Sequence, residues 1–366
     1  MNRIKAAVLY EYNQPVVVEE MALGQPKNGE VLIRMMASGV CHSDWHIVKG
    51  EWTNTPKPII LGHEGAGIVQ QIGSGVKKVK PGDHVILSWM PSCGLCEACQ
   101  IGRPNVCYSF DQHANQRTAQ VISTNENIPF MAGIGTMSSY SIVSEDVAIP
   151  IDKTIPFPQA SLIGCGVMTG VGAAINTARV HPGSTVAVFG AGGVGLNVIQ
   201  GAVISGATTI ISVDLLENKL ELAKKFGATH TVNSSDVDPV EAIKELTGGL
   251  GVHYGFEAIG LVSEPFVQII HSVRRRGKAV WVGHAPLNTP VTIDAQDLMW
   301  EKTVIGSMYG SSRPHIDFPR LISLYKSGQL KLDELITRSF PIEEVNNAFK
   351  VLGEGKVARS VLTFDQ

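Results

Sequence analysis

The six cysteines of the chain fall into two groups. Cys93, Cys96, Cys99 and Cys107 crowd one short run, while Cys41 and Cys165 stand far apart. Four thiolates at such intervals can wrap one tetrahedral ion and leave it no open position, so the run reads as a closed, structural zinc site. Its intervening residues Gly94, Glu97, Gly102, Arg103 and Pro104 are of the loop type. Cys41 and Cys165 need a further ligand, and His63, in Gly62-His63-Glu64-Gly65, is the candidate. Three protein ligands leave zinc an open position, and the residual Lewis acidity there lowers the pKa of a bound alcohol. A buried free cysteine is ordinarily a small core residue. The polar turn Cys41-His42-Ser43-Asp44 and the glycine-flanked Gly164-Cys165-Gly166 argue instead for ligation.

A second constellation is Gly190-Ala191-Gly192-Gly193-Val194-Gly195, which follows an apolar strand-like segment ending at Phe189 and opens an apolar helix-like one. Glycines there permit a tight turn and let backbone N–H groups approach a pyrophosphate at a helix N-terminus. Asp214 ends the next strand-like segment, where its carboxylate can accept hydrogen bonds from an adenosine ribose. The same carboxylate would repel a 2′-phosphate, so NAD is expected rather than NADP. Lys219 can reach the same ribose, although a lone lysine there also reads as a solvated helix residue.

These groups must be held by two kinds of scaffold. Up to about Pro158 the segments are short and strand-like, among them Val31-Leu32-Ile33, Gly67-Ile68-Val69 and His84-Val85-Ile86-Leu87, with Gly, Pro and Asn turns between them. From about Ser184, apolar strands alternate with helix-length amphipathic segments, which predicts a parallel sheet flanked by helices. Cys165 lies at the join, where a cleft is expected. Helix-like stretches follow around Pro319 to Lys326 and Ile342 to Leu352, then a final strand at Arg359 to Leu362.

The 366 residues exceed the size of one growing core, so two domains are expected. A net charge of −3 and the lack of long charged runs argue against nucleic-acid or anionic-membrane partners. The sequence has no signal-peptide pattern and no stretch of eighteen uncharged apolar residues, so a cytoplasmic location is expected, with thiols free for metal.

Taken together, Gly62-His63-Glu64, the four-cysteine run, Gly164-Cys165-Gly166 and Gly190 to Gly195, in that order, resemble the zinc-dependent medium-chain alcohol dehydrogenases over nearly the whole chain. The resemblance implies an α/β fold. A GroES-like β-rich catalytic domain would span 1–166 and 309–366, with a structural zinc lobe at about 91–109. A Rossmann doubly wound parallel-sheet domain would span 167–308 and bind NAD(H). It also implies two Zn2+ per subunit: a catalytic ion on Cys41, His63 and Cys165, with Glu64 close behind, and a structural ion on Cys93, Cys96, Cys99 and Cys107.

By the same resemblance Ser43 takes the alcohol proton and His46 passes it towards solvent. Thr169 and Val194 pack the nicotinamide, Asp214 and Lys219 contact ribose, and Arg359 contacts pyrophosphate. His42 and Leu261 stand where relatives place arginines, so His42 would hold the pyrophosphate less tightly. Trp52, Trp89, Met131, Ala132, His284 and Ala285 would line the substrate pocket, which suits a primary or aromatic alcohol. A homodimer is implied by the long segment 108–139, with edge strands near Trp281-Val282 and Val304-Ile305 available to pair.

Two alternatives stay open. Segments such as Gly164-Cys165-Gly166-Val167-Met168 and Asp317-Phe318-Pro319 are also similar to thiol-dependent formaldehyde or aldehyde dehydrogenases of the same family. A non-catalytic zinc-binding module is the other, and the lack of a basic stripe counts against it.

Overall fold

A computed structural model describes residues 2–113 and 117–364. The chain divides into two compact units. The first comprises Met1–Cys165, Arg313–Tyr325 and Leu332–Gln366; the second comprises Gly166–Ser312 and Lys326–Lys331. The sequence reading placed everything from 309 onward in the first unit, but 309–312 and 326–331 belong to the second. A reciprocal amide clasp explains the later return. The side chain of Gln200 donates to Lys331 O at 3.2 Å and accepts from Lys331 N at 2.7 Å.

The first unit is GroES-like and carries two sheets. One is five-stranded, in the order Ile59–Ile60, Asn2–Leu9, Val17–Leu23, Thr118–Val121, Asn127–Pro129. The other runs Ala148–Ile151, His84–Leu87, Gly65–Ile72, Glu30–Val40, Arg359–Thr363, Ile336–Pro341, and Tyr140–Ser144 also pairs with Glu30–Val40. Glu30–Val40 is the hub. Its residues Val31, Ile33 and Met35, at the two-residue period of a strand, and Val40, beyond the register shifts, join Val69, Val85, Leu87 and Leu362 in one core. Register shifts at Leu32/Ile33 and Met35/Ala37 bend this strand before it delivers Cys41.

The second unit is a six-stranded parallel sheet. Its order is His230–Asn233, Thr209–Asp214, Thr185–Phe189, Val252–Glu257, Val273–Trp281, Thr303–Gly306, which is the doubly wound order with its switch point beside Thr185–Phe189. Its central strands Thr185–Phe189 and Thr209–Asp214 read as nearly continuous apolar runs because both faces are covered.

Two expectations need correction, the edge position of Trp281 and the start of the helix at Pro319. Trp281 lies on a strand paired on both sides, so only Val304-Ile305, on the strand Thr303–Gly306, lies at a sheet edge. The helical run over Phe157–Ala178, though interrupted by Gln, Ser, Thr and Asn, is long and on average apolar enough to cross a membrane, and 78% of its apolar window is buried within the fold. The helix expected from Pro319 begins at Pro314 and contains Pro319. It lies in the second turn, and a proline is best accommodated near a helix start, where few carbonyls precede it.

Candidate active site and metal clusters

Strand Glu30–Val40 leads into Cys41, the extended residue that precedes the helix His42–Val48. His63 and Glu64 sit between the strands Ile59–Ile60 and Gly65–Ile72. Cys165 lies in a π-helical turn, Ile163–Val167, the kind of one-residue bulge that re-aims a side chain. These segments bring ligand atoms of Cys41, His63, Glu64 and Cys165 within 4.8 Å of one another, all buried.

Asp44, which the sequence offered only as part of a polar turn, orients this cluster. Its fully buried carboxylate accepts from the backbone N–H of Cys41 at 3.3 Å and of Gly62 at 3.1 Å, and its Oδ1 lies 3.2 Å from His63 Nδ1. A carboxylate on one imidazole nitrogen fixes the tautomer and leaves the other nitrogen as a ligand. His63 Nε2 is indeed buried without a hydrogen-bond partner. The signal for Asp44 was its place three residues after Cys41, at the first turn of a helix, where an acid reaches back to the preceding N–H.

Crowding shifts the pKa of each group in the cluster. The hydrogen bond from Cys165, helped by the charges of His63 and Arg359, pulls the Cys41 thiol well below its ordinary pKa. Cys165 is pushed up by that same contact with Cys41 and by burial. Burial pushes Glu64 up to about 7, against the opposing charge of Arg359. Two thiols, a carboxyl and an imidazole cannot all take their ligating forms in so small a buried space without a cation. The donor set fits zinc: two thiolates and an imidazole, with a carboxylate adjacent.

Arg359 opens the strand Arg359–Thr363 and forms an ion pair with Glu64; the two are 3% and 0% exposed as side chains. It therefore abuts the metal cluster, a placement that its assignment to pyrophosphate did not anticipate.

Ser43 and His46 share a face of the helix His42–Val48, three residues apart. Ser43 Oγ lies 3.7 Å from Cys41 Sγ, and His46 is 7% exposed. His42 is exposed at the helix start, its ring 5.9 Å from that of His46.

Aromatic rings surround these groups. Trp52 lies 5.2 Å from His46, and Trp89 meets both His63 and Phe110 edge-on, at 6.4 Å and 6.3 Å. Met131 and Ala132 pack on the same core as both tryptophans. Phe110 was missed because it stands just beyond the last cysteine, in the long segment 108–139, which was read only for what it implies about a dimer. His284 belongs to the second unit, where its backbone abuts Gly260.

The second cluster, Cys93, Cys96, Cys99 and Cys107, also places its four sulfurs within 4.8 Å of one another. Backbone N–H groups of Leu95 and Cys96 donate to Cys93 Sγ and pull its pKa down to about 6. Burial and Cys96 push Cys99 up to about 12. Four sulfurs so close together again call for a cation to let all of them ionise.

In the second unit, Gly192 caps the helix Gly193–Ile204. A Cβ on Gly195 would stand 1.8 Å from Gly190 O, so only glycine closes this turn, whereas nothing lies within 4 Å of the position a Gly192 Cβ would take. The turn thus presents open space above a helix N-terminus, the cradle a pyrophosphate requires. Asp214 ends its strand and accepts from Ala191 N at 2.8 Å and Leu216 N at 3.1 Å, so it braces the glycine turn directly. Lys219 lies on the following helix, Glu217–Phe226. The backbone of Gly170 packs against Val194 and Asn197, which brings the segment bearing Thr169 to the same helix start.

Comparison with known proteins agrees with this geometry. Residues 27–153 match the alcohol dehydrogenase GroES-like domain, and residues 193–327 match the zinc-binding dehydrogenase family. The chain is 37% identical to alcohol dehydrogenase B of Mycobacterium tuberculosis, over 99% of this chain and 98% of that one. Among solved structures, an alcohol dehydrogenase zinc-binding domain protein from Burkholderia ambifaria aligns over all of both chains, with TM-score 0.95 and 34% identity. Benzyl alcohol dehydrogenase from Acinetobacter calcoaceticus aligns equally fully, with TM-score 0.93 and 33% identity. The chain belongs to the zinc-dependent medium-chain alcohol dehydrogenase family. It is an alcohol dehydrogenase-like oxidoreductase.

Proposed function

We infer that the protein interconverts alcohols with aldehydes or ketones by hydride transfer to and from NAD(H). The observation that carries this is His63, held by Asp44 with Nε2 aimed among two buried thiols, with Ser43 and His46 on the adjoining helix. Zinc on Cys41, His63 and Cys165 would supply Lewis acidity at the alcohol oxygen; a second zinc on the four-cysteine lobe would be structural. Ser43 accepts the hydroxyl proton and His46 carries it onward. Glu64 and Arg359 neutralise one another beside the ligands, which keeps an uncompensated charge out of a buried site. Gly190, Gly192, Gly193 and Gly195 receive the pyrophosphate, Asp214 and Lys219 the adenosine ribose, and Thr169 and Val194 the nicotinamide. Asp214 supports NAD over NADP, because its carboxylate would face a 2′-phosphate.

Trp52, Trp89 and Phe110 favour a flat apolar substituent on the alcohol, and the likeness to a benzyl alcohol dehydrogenase points the same way. The protein acts in the cytoplasm as a homodimer, joined along the open edge Thr303–Gly306, where Ile305 is 40% exposed. Primary, secondary and aromatic alcohols assayed with NAD and with NADP test the reading. NADH formation from benzyl-type alcohols without added thiol is expected. No absorbance change with any alcohol would overturn it, and a strict need for a thiol would favour the aldehyde-adduct reaction.

A further inference from the structure

The helix His42–Val48 ends in a reversal that has a chemical consequence. Gly50 holds φ +65°, its N–H donates to Ile47 O at 2.9 Å, and the N–H of Glu51 donates to His46 O at 2.9 Å. This pair of bonds is the Schellman termination, which favours a left-handed glycine. It folds Glu51 back along the last turn and sets Oε2 2.5 Å from His46 Nδ1. Helix stability gives no reason for an acid here, since the carbonyl end of a helix favours cations. The side chain of His46 is 9% exposed and that of Glu51 is 39% exposed. Trp52 covers the ring of His46 at 5.2 Å, and His42 lies 5.9 Å away. The carboxylate thus stands between an enclosed imidazole and solvent.

We propose that Glu51 is the positioning residue for His46 and the exit through which the relayed proton reaches water. This rests on the reading of His46 as a proton carrier. With Nδ1–H donating to Glu51, Nε2 is the basic nitrogen. The proton released by the alcohol, passed on by Ser43, bonds to Nε2. The Nδ1–H bond breaks as an O–H bond forms on Oε2, and the carboxyl then gives this proton to water. One proton leaves the substrate and one enters solvent. Between turnovers the ring turns over, so that Nε2–H faces Glu51 and the unprotonated Nδ1 faces Ser43, and the next proton leaves by the same exit.

Rapid mixing of zinc-loaded enzyme with NAD, an alcohol and a pH-indicator dye reads proton release beside NADH formation. Glu51→Gln keeps an acceptor for Nδ1 but cannot carry the proton. It should slow proton release by about tenfold or more in dilute buffer, with NADH binding unchanged. A high concentration of a small base such as imidazole should restore the rate, and Glu51→Asp should restore part of it. Release at the parental rate in Glu51→Gln, with His46→Gln slow, would overturn the proposal. So would a slow Glu51→Gln that no buffer relieves, since the carboxylate would then only hold the ring. If His46→Gln also releases protons at full rate, the relay reading itself falls.

Discussion

The exposed lobe takes its four thiols from residues 93–107, whereas the buried cluster gathers Cys41, His63 and Cys165 from three separate segments and adds Glu64, Asp44 and Arg359. In the lobe, local backbone N–H groups do the orienting, as Leu95 and Cys96 do for Cys93. In the buried cluster, distant side chains do it, as Asp44 does for His63. A site enclosed by neighbours in sequence can be rigid at the surface, and a site assembled by the fold can combine unlike charges in a dry space. The first arrangement suits a closed knuckle and the second suits reactivity.

The two clusters should therefore fail in different ways. Cys41→Ser should cost the most: more than about a hundredfold in kcat/KM, since even an outer partner of a metal ligand is worth 10–100-fold. Elemental analysis should show one zinc remaining per subunit, and NADH fluorescence titration should show the dinucleotide still binding. Loss of both metals, or of coenzyme binding, would mean that the clusters are not independent. Cys107→Ser should reverse the pattern, with melting about 10 °C lower and near-parental activity per folded molecule at low temperature. Calorimetry paired with active-site titration checks it. Asp44→Asn should weaken the buried zinc by about 10–100-fold, measured by competition with a chelator, and leave the lobe untouched. The smallest change should come from Gln100→Ala, which removes the exposed bond from Gln100 to Gly94 O at 2.6 Å. One such bond is worth about 1 kcal/mol, so release of lobe zinc should accelerate no more than about fivefold.

What could be read from the sequence divides along the same line. The lobe was legible because spacing alone defines it. The glycine turn was legible because strand, turn and helix follow one another in the chain, and Asp214 comes at the end of the next strand. Cys41, His63 and Cys165 needed the order of motifs, since nothing local in Gly164-Cys165-Gly166 reveals a π-helical turn. Asp44, Glu51 and Phe110 were missed because each looks like a turn or surface residue until its partner is known. Arg359 was assigned to pyrophosphate by resemblance alone, and nothing in its local sequence marks the buried carboxylate beside it. The position of Trp281 within the sheet depended on strand order, which periodicity does not encode.

Arg359 has a consequence for how the protein is made. The strand it opens pairs with Glu30–Val40, Ser360 opposite Val40, immediately before Cys41. While the chain emerges from the ribosome, the four-cysteine run is complete once Cys107 is out, and an ion could bind there at once. The charge that most offsets Glu64, Arg359, comes about 250 residues after Cys107, so an ion in the buried cluster should be bound later than one in the knuckle.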